Sequence, residues 1–510
     1  MTPKKKDTLL LLSKPPVVVV LGHVDHGKTS ILDYIRKSNV AEKEAGKITQ
    51  HIGAYEIEFQ NQKITFIDTP GHEAFVQMRS HGAKLADIAL LVIAANEGIK
   101  PQTKESLKLI KDAELPYIIV LNKRDLVSEY QTYNVIEQQL KKENVVLESW
   151  GGDVPLVKTS SKTGEGIDEL LETILILGAV TIKALNKKQE NFFKGITIET
   201  HLSSQSGIRA TILVKQGVFS KGDILVSQNQ TFKVKKITDW QMKNIQTAYC
   251  SQPVNVLGFE FPPELGEIFE KAKKEEINLN KKYYNQKKDN SNQKMLIDKS
   301  KSKEAQTISL VLKTDVLGSQ EAVVKILENI SQKNDVNFLL VYRGLGDISE
   351  HDLKFAQSSK AIILGFKIKA QSAIKFAIER MGLNLIICEV IYDINDSLTD
   401  LIKKSIKKET KDIQAKLNIL AVFGKRNAAN NKKQNLYKII IGGEVTEGEL
   451  KKNCSVEVRR SHKVLGQGKI LEIEKDRKSI TQISAGEQCG LLYEGNTEVK
   501  KGDILFIYSN

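Results

Sequence analysis

PPVVVVLGHVDHGKTS, Pro15 to Ser30, decides how the first part of this chain folds. Val17 to Leu21 are apolar without a break, the pattern of a parallel strand buried on both faces, and SILDYIRKS behind them has helical apolar spacing. A glycine-bearing loop therefore joins strand to helix, and Gly22, Gly27, Lys28 and Thr29 complete GxxxxGK[ST]. The glycines let backbone N–H groups face phosphate oxygens, Lys28 reaches the β and γ phosphates, and the Thr29 hydroxyl ligates magnesium. Gly22, His23, Val24, Asp25, His26, Gly27, Lys28, Thr29 and Ser30 form the candidate phosphate loop.

Working outward, ITFIDTPGHEAF (Ile64 to Phe75) places Asp68 and Gly71 as DxxG after a strand. The carboxylate can hold the magnesium shell and the glycine N–H can report the γ phosphate. YIIVLNKRD (Tyr117 to Asp125) adds Asn122, Lys123 and Asp125 as NKxD. A carboxylate accepts from both N1–H and the exocyclic amine of guanine, and adenine lacks that donor pair. A site built on buried hydrogen bonds rejects such an analogue by ~10⁴-fold or more, so GTP and GDP are expected over ATP. Ser160, Ser161 and Lys162 resemble the SAK loop beneath a guanine, with Ser161 serving through its backbone N–H. KITQHIGAY (Lys47 to Tyr55) has neither helical nor strand period and lies between phosphate loop and DxxG. GTPases place there a segment ordered by the γ phosphate and its Mg2+, which makes Thr49 a ligand beside Thr29 and Asp68.

The 510 residues suffice for about three or four domains. Lys plus Arg number 76 against 62 Asp plus Glu, a formal charge of +14 that suits a phosphate-backbone partner. Four scattered cysteines, Cys250, Cys388, Cys454 and Cys489, form neither a zinc pair nor a disulfide scaffold. The apolar run Leu9 to Leu12 is shorter than the ~7–15 residues of a signal sequence, and nothing approaches the ~20 of a membrane span. No membrane role is expected.

GHVDHGKTS, EAGKITQHIGAY, DTPGHEAF, PQT (Pro101 to Thr103), NKRD and WGGDVPLVKTSSKTGEGIDELLE together resemble bacterial-type translation initiation factor 2. Lys47 departs from the family's glycine beside the switch threonine. The resemblance implies that His72 positions the attacking water, that Val24 and Ile48 form an apolar gate before it, and that Asp25 assists the switch or a monovalent ion. It implies a multidomain α/β and β chain: a P-loop GTPase α/β domain, two translation-factor-type β-barrels and one α/β/α sandwich domain, connected by helical linkers. The expected bounds are a disordered segment 1–14, GTPase domain 15–180, β-barrel 181–263, charged helix or linker 264–305, α/β/α domain 306–391, connecting helix 392–417 and carboxy-terminal β-barrel 418–510.

Short alternating strands separated by glycine turns support the barrels, and KGDIL at Lys221 to Leu225 returns at Lys501 to Leu505. The lysines at 281, 282, 287 and 288 are candidates for RNA phosphate or a solvated face. By resemblance the last barrel grips initiator formylmethionyl-tRNA through Cys489 and Gly490, helped by Lys475 and Arg477; Gly443 and Gln488 depart from the family's Cys and Glu. Cys489 as an ordinary core thiol is the competing reading. The implied partners are both ribosomal subunits, initiator tRNA and other initiation factors, with the chain acting as a monomer in a bacterial cytoplasm or a plastid stroma. Two other readings stay open here, a GTP-gated RNA-binding or ribosome-assembly module and an elongation-type GTPase.

Overall fold

The computed structural model describes residues 14–38, 44, 46, 48–127, 130–185, 193–203, 207–272, 295–297, 306–409, 413–427, 437–460, 463–475 and 478–508. The expected leading segment, Lys47, the lysines at 281, 282, 287 and 288, and Arg477 lie outside them; Lys14 is the exception. The chain forms two compact units, Met1–Ser397 and Leu398–Asn510.

The first unit begins with a six-stranded sheet: β1 (Val17–Gly22), β2 (Gly53–Phe59), β3 (Gln62–Asp68), β4 (Ile88–Ala94), β5 (Tyr117–Asn122) and β6 (Leu156–Lys158). Its order is β2-β3-β1-β4-β5-β6, parallel except for edge strand β2. Val17 to Leu21 are 0% exposed, so each contributes roughly 1.5–3 kcal/mol of apolar burial. The helices are α1 (Lys28–Arg36), α2 (Val76–Leu85), α3 (Pro101–Asp112), α4 (Tyr130–Lys142) and α5 (Ile167–Leu185). In such sheets ligands bind at the carboxyl ends of the strands, where the motif loops fall. Lys14 belongs to this domain, pairing with buried Asp87 at 2.7 Å, and α5 carries the domain past the expected bound at 180.

The first barrel is an antiparallel sheet of eight strands around an aromatic core that includes Phe219, Phe232 and Phe269. The bound expected at 263 and the helix expected after it are corrected by the strand Ile268–Lys271, which pairs with the strand Lys194–Ser203. Its charged neighbours hid the period of two, because Phe269 is the single side chain it commits to the core. The sandwich domain has the parallel strands Thr307–Thr314, Asn337–Leu345, Ile362–Phe366 and Leu385–Cys388, with the helices Leu317–Asn334, Glu350–Ser359 and Ser372–Met381. Met295–Ile297 adds an antiparallel edge strand from inside the expected linker. The helix α9 (Ile391–Glu409, the ninth helix counting the three just named as α6 to α8) stops short of 417.

The second unit is a closed six-stranded barrel of Ile413–Asn427, Ile504–Tyr508, Ser455–Arg460, Lys463–Lys475, Gln488–Gly495 and Tyr437–Lys451, the last returning to the first. It starts at Ile413 rather than 418: Ala415, Leu417 and Ile419 alternate into its core, a period of two that the preceding lysine-rich run obscured. The repeated KGDIL has one physical meaning in both barrels. Gly222 (φ 95°) and Gly502 (φ 91°) take the left-handed turn that L side chains resist. Asp223 accepts from the Ser220 amide and Asp503 from the Lys500 amide, each at 2.8 Å. Each carboxylate also meets a cation, Lys271 at 2.8 Å and Arg460 at 2.7 Å. No helix among the described residues is long and apolar enough to cross a membrane.

Because the second barrel closes on its own core, residues 398–510 expressed alone should unfold in one cooperative urea transition. Asp503→Ala removes a carboxylate that is 1% exposed on its side chain and should lower that fragment's stability by about 2–4 kcal/mol; non-cooperative melting of the fragment would refute its independence.

Candidate nucleotide site

The left-handed Gly27 (φ 87°) delivers the loop into α1, whose first residue is Lys28. The Lys28 ammonium is buried and donates to Gly22 O at 3.1 Å and His23 O at 2.6 Å. Burial pulls it down to about 8 against the opposing pull of Asp68. Thr29 Oγ1 shares a hydrogen bond with Thr49 Oγ1 and donates to Asp68 Oδ2 at 3.3 Å. Asp68 Oδ1 is buried without a partner, and burial pushes the carboxyl up to about 7 although Lys28 opposes it. Two hydroxyls and a carboxylate oxygen left over beside them are the hard oxygen donors that a magnesium ion takes; the residues present fit that ion.

On the base side, buried Asn122 ties three motifs together. Its Nδ2 donates to His26 O at 3.0 Å, and its Oδ1 accepts from Ser161 N at 3.1 Å. The Ser161 amide, expected to serve guanine, is therefore engaged with Asn122. Ser160 Oγ instead donates to Asp125 Oδ1 at 2.6 Å and orients that exposed carboxylate. Lys123 takes a left-handed φ of 62° and pairs with Glu97 at 3.3 Å; Lys162 is exposed. His26 is wholly buried and pulled down to about 4 by that burial, so it is a neutral support beneath the loop.

One cavity is lined by Val24, Asp25, Gly27, Lys28, Thr29, Ser30, Ile48, Thr49, Gly71, His72, Asn122, Lys123 and Ser161. The fold thus brings together the gate pair, His72 and the phosphate loop; Gly22, His23, His26, Asp68, Asp125, Ser160 and Lys162 stand behind or beside the lining. His72 Nδ1 accepts from Ala74 N at 3.0 Å, so the neutral ring carries its proton on Nε2. The ring meets Tyr392 edge-on with centroids 4.7 Å apart, and burial lowers its pKa.

The QHIGAY segment is held from three sides. Gln50 donates to Glu389 O at 3.3 Å and accepts from Ile391 N at 3.1 Å; His51 Nε2 meets Asp315 Oδ2 at 2.7 Å; Ile52 N donates to Glu199 Oε2 at 3.4 Å. Burial pushes Glu199 up to about 7. Sequence reasoning missed these partners, and it missed Arg79, Gln102 and Glu105. Arg79 donates to the carbonyls of Pro70, Gly71 and His72 and to Glu105, while Gln102 Oε1 accepts from Val24 N at 3.0 Å. A signal existed: Arg79 sits at helical spacing with Met78, Gly82 and Ala83 on the buried face of α2, where an unpaired charge is not tolerated.

Of the residues carried over for tRNA, Cys489, Gly490 and Lys475 are among the described residues. Cys489 is buried in the second barrel's core, directly across the ladder from Gly443, and burial pushes its thiol up to about 11. This is the core-thiol reading. Gly490 stands opposite Gly442, and Lys475 Nζ donates to Glu487 Oε1 at 2.7 Å.

Three family models match along the chain: Elongation factor Tu GTP binding domain over residues 14–177, Elongation factor G domain 2 over 192–272, and Translation-initiation factor 2 over 281–399. Proteins named Translation initiation factor IF-2 from Acetivibrio thermocellus, Bartonella bacilliformis and Persephonella marina are 35%, 34% and 35% identical over 97%, 98% and 98% of this chain. The chain spans about half the length of these relatives, covering 47%, 59% and 56% of them. The solved structure of GDP-bound aIF5B from Aeropyrum pernix aligns over 97% of this chain and 92% of its own at 25% identity, with a TM-score of 0.47. Matched domain by domain in this order and along nearly its whole length, the chain is similar to the proteins named Translation initiation factor IF-2.

Proposed function

We propose that the chain is a ribosome-stimulated GTPase of translation initiation: its GTP form promotes binding of initiator formylmethionyl-tRNA to the small subunit and the joining of subunits, and hydrolysis releases it. The observation that carries the reading is the single cavity uniting Lys28, Thr29, Thr49, Gly71 and His72, with Asn122 and Asp125 fixed beside it. Lys28 stabilises charge on the β and γ phosphates, and the Gly71 N–H contacts the γ phosphate. Magnesium, held by Thr29, Thr49 and Asp68, would neutralise phosphate charge. His72 orients a water whose oxygen bonds to the γ phosphorus as the β–γ bridge bond breaks, giving GDP and phosphate. Val24 and Ile48 screen that water until the ribosome engages the site. Catalysis of this kind is positioning and charge stabilisation.

For the last barrel we keep initiator tRNA as ligand, supported by the similarity to proteins named Translation initiation factor IF-2. The contact proposed there is at Gly490, with Lys475 at its edge and the buried Cys489 as the wall behind it. The site of action proposed for such a factor is the bacterial cytoplasm or a plastid stroma.

Three outcomes follow. Assembled ribosomes should raise GTP turnover of the full chain by at least 10³-fold, as activating partners do for intrinsically slow GTPases, whereas stimulation by one subunit or free RNA alone would favour an assembly module. Asp125→Asn exchanges one acceptor for an amide donor, which suits the C2 carbonyl of xanthine. Competition binding should show GTP affinity falling by ~10³-fold or more with xanthosine triphosphate gaining. His72→Ala should cut stimulated kcat by ~10²–10⁴-fold with nucleotide affinity unchanged. Burial holds His72 below its ordinary 6.5, so the ring is neutral at pH 7 and protonates only on acidification below 6.5. The wild-type rate should therefore be flat above that pH and fall below it, and a pH–rate profile unaltered by the substitution would remove His72 from the mechanism.

A further inference from the structure

The γ-phosphate reading assigns work to a backbone amide, and an amide can be aimed only through its peptide plane. Arg79, on α2, is 0% exposed. Its Nη1 donates to Pro70 O at 3.1 Å, Gly71 O at 3.1 Å and His72 O at 2.7 Å, three consecutive carbonyls of the DxxG loop. Its Nη2 donates to Glu105 Oε1 at 2.7 Å on α3. A guanidinium is always charged, and a buried one persists only where acceptors surround it.

The Pro70 carbonyl and the Gly71 N–H share one planar trans peptide, so they point to opposite sides of the chain. Fixing the carbonyl toward Arg79 fixes the N–H away from it. The Gly71 carbonyl and the His72 N–H are coupled in the same way. Gly71 itself lies against the phosphate loop: a Cβ there would stand 2.6 Å from Lys28 Nζ and 3.0 Å from Val24 N. The same helix that holds Arg79 through Glu105 holds that loop through Gln102, whose Oε1 accepts from Val24 N at 3.0 Å. One rigid element, α3, thereby sets both walls of the γ-phosphate space.

We propose that Arg79 is the positioning residue that aims the Gly71 amide at the γ phosphate, with Glu105 orienting it, and that this clamp sets the preference of the site for triphosphate over diphosphate. The inference rests on Gly71 being the γ-phosphate contact. It makes Arg79 a determinant of nucleotide specificity without contact to nucleotide. Lysine does not substitute, because its single ammonium lacks the planar fork that reaches three carbonyls and a carboxylate together.

The test is equilibrium binding of fluorescent GDP and a fluorescent non-hydrolysable GTP analogue, with magnesium, to the full chain and its Arg79→Lys, Glu105→Gln and Gly71→Ala variants. Arg79→Lys should weaken the GTP analogue about tenfold, the loss of one charge-assisted hydrogen bond, with GDP unchanged within about twofold. Glu105→Gln should move the same ratio less. Equal losses for GDP and the analogue would reduce Arg79 to a structural role and overturn the proposal. An unchanged ratio in Arg79→Lys with a changed ratio in Gly71→Ala would overturn it while leaving the Gly71 reading intact. An unchanged ratio in Gly71→Ala would remove that reading and the proposal with it. If Arg79→Lys shows no cooperative melting transition, Glu105→Gln decides by the same split, since its carboxylate is partly exposed.

Discussion

A buried ammonium and a buried carboxylate at the carboxyl ends of β1 and β3 govern the first domain. Among the described residues Lys28 donates to the Gly22 and His23 carbonyls, and Asp68 keeps one buried oxygen without a partner. Burial alone penalises both charges, lowering the lysine to about 8 and raising the aspartate to about 7. In the proposed function, phosphate oxygens for one and a hard cation for the other would relieve that penalty. The centre of the sheet supports the cost, because Val17 to Leu21 of β1 and Ile88 to Ala94 of β4 are apolar and 0% exposed.

Around that pair, motifs far apart in sequence are joined by hydrogen bonds between side chain and backbone. Asn122 fastens the phosphate loop to the Ser160–Ser161 turn, Ser160 sets Asp125, and Thr29 meets Thr49. Past Thr49 the chain touches Glu199 of the first barrel, Asp315 of the sandwich domain and the start of α9 through Gln50, His51 and Ile52. The residues directly after Thr49 are thus tied to three neighbouring elements of this unit.

The barrels teach a different lesson about legibility. The KGDIL repeat was visible as a string, and its meaning is a left-handed glycine followed by an aspartate that closes the turn onto an amide three residues back. The ends of the barrels were not visible. At Ile268–Lys271 and from Ile413, charged or lysine-rich neighbours mask a period of two that only the facing strand makes decisive. Cys489 shows the limit of motif transfer, for the position matches while the side chain points into a core that no local pattern reveals.

What the sequence determined by itself is the set of motif residues that make up the candidate nucleotide site. Each motif is short, and its glycines, Lys28, Asp68, Asn122 and Asp125 act through local backbone geometry or through one side chain's donor pattern. Tertiary structure alone decided which groups stand behind them. Arg79 reaches three carbonyls within nine residues of itself yet needs Glu105 from another helix, and Gln50 finds its partners more than three hundred residues away. Such pairings depend on how helices and domains pack, and packing is a property of surfaces brought together, not of any one stretch of chain.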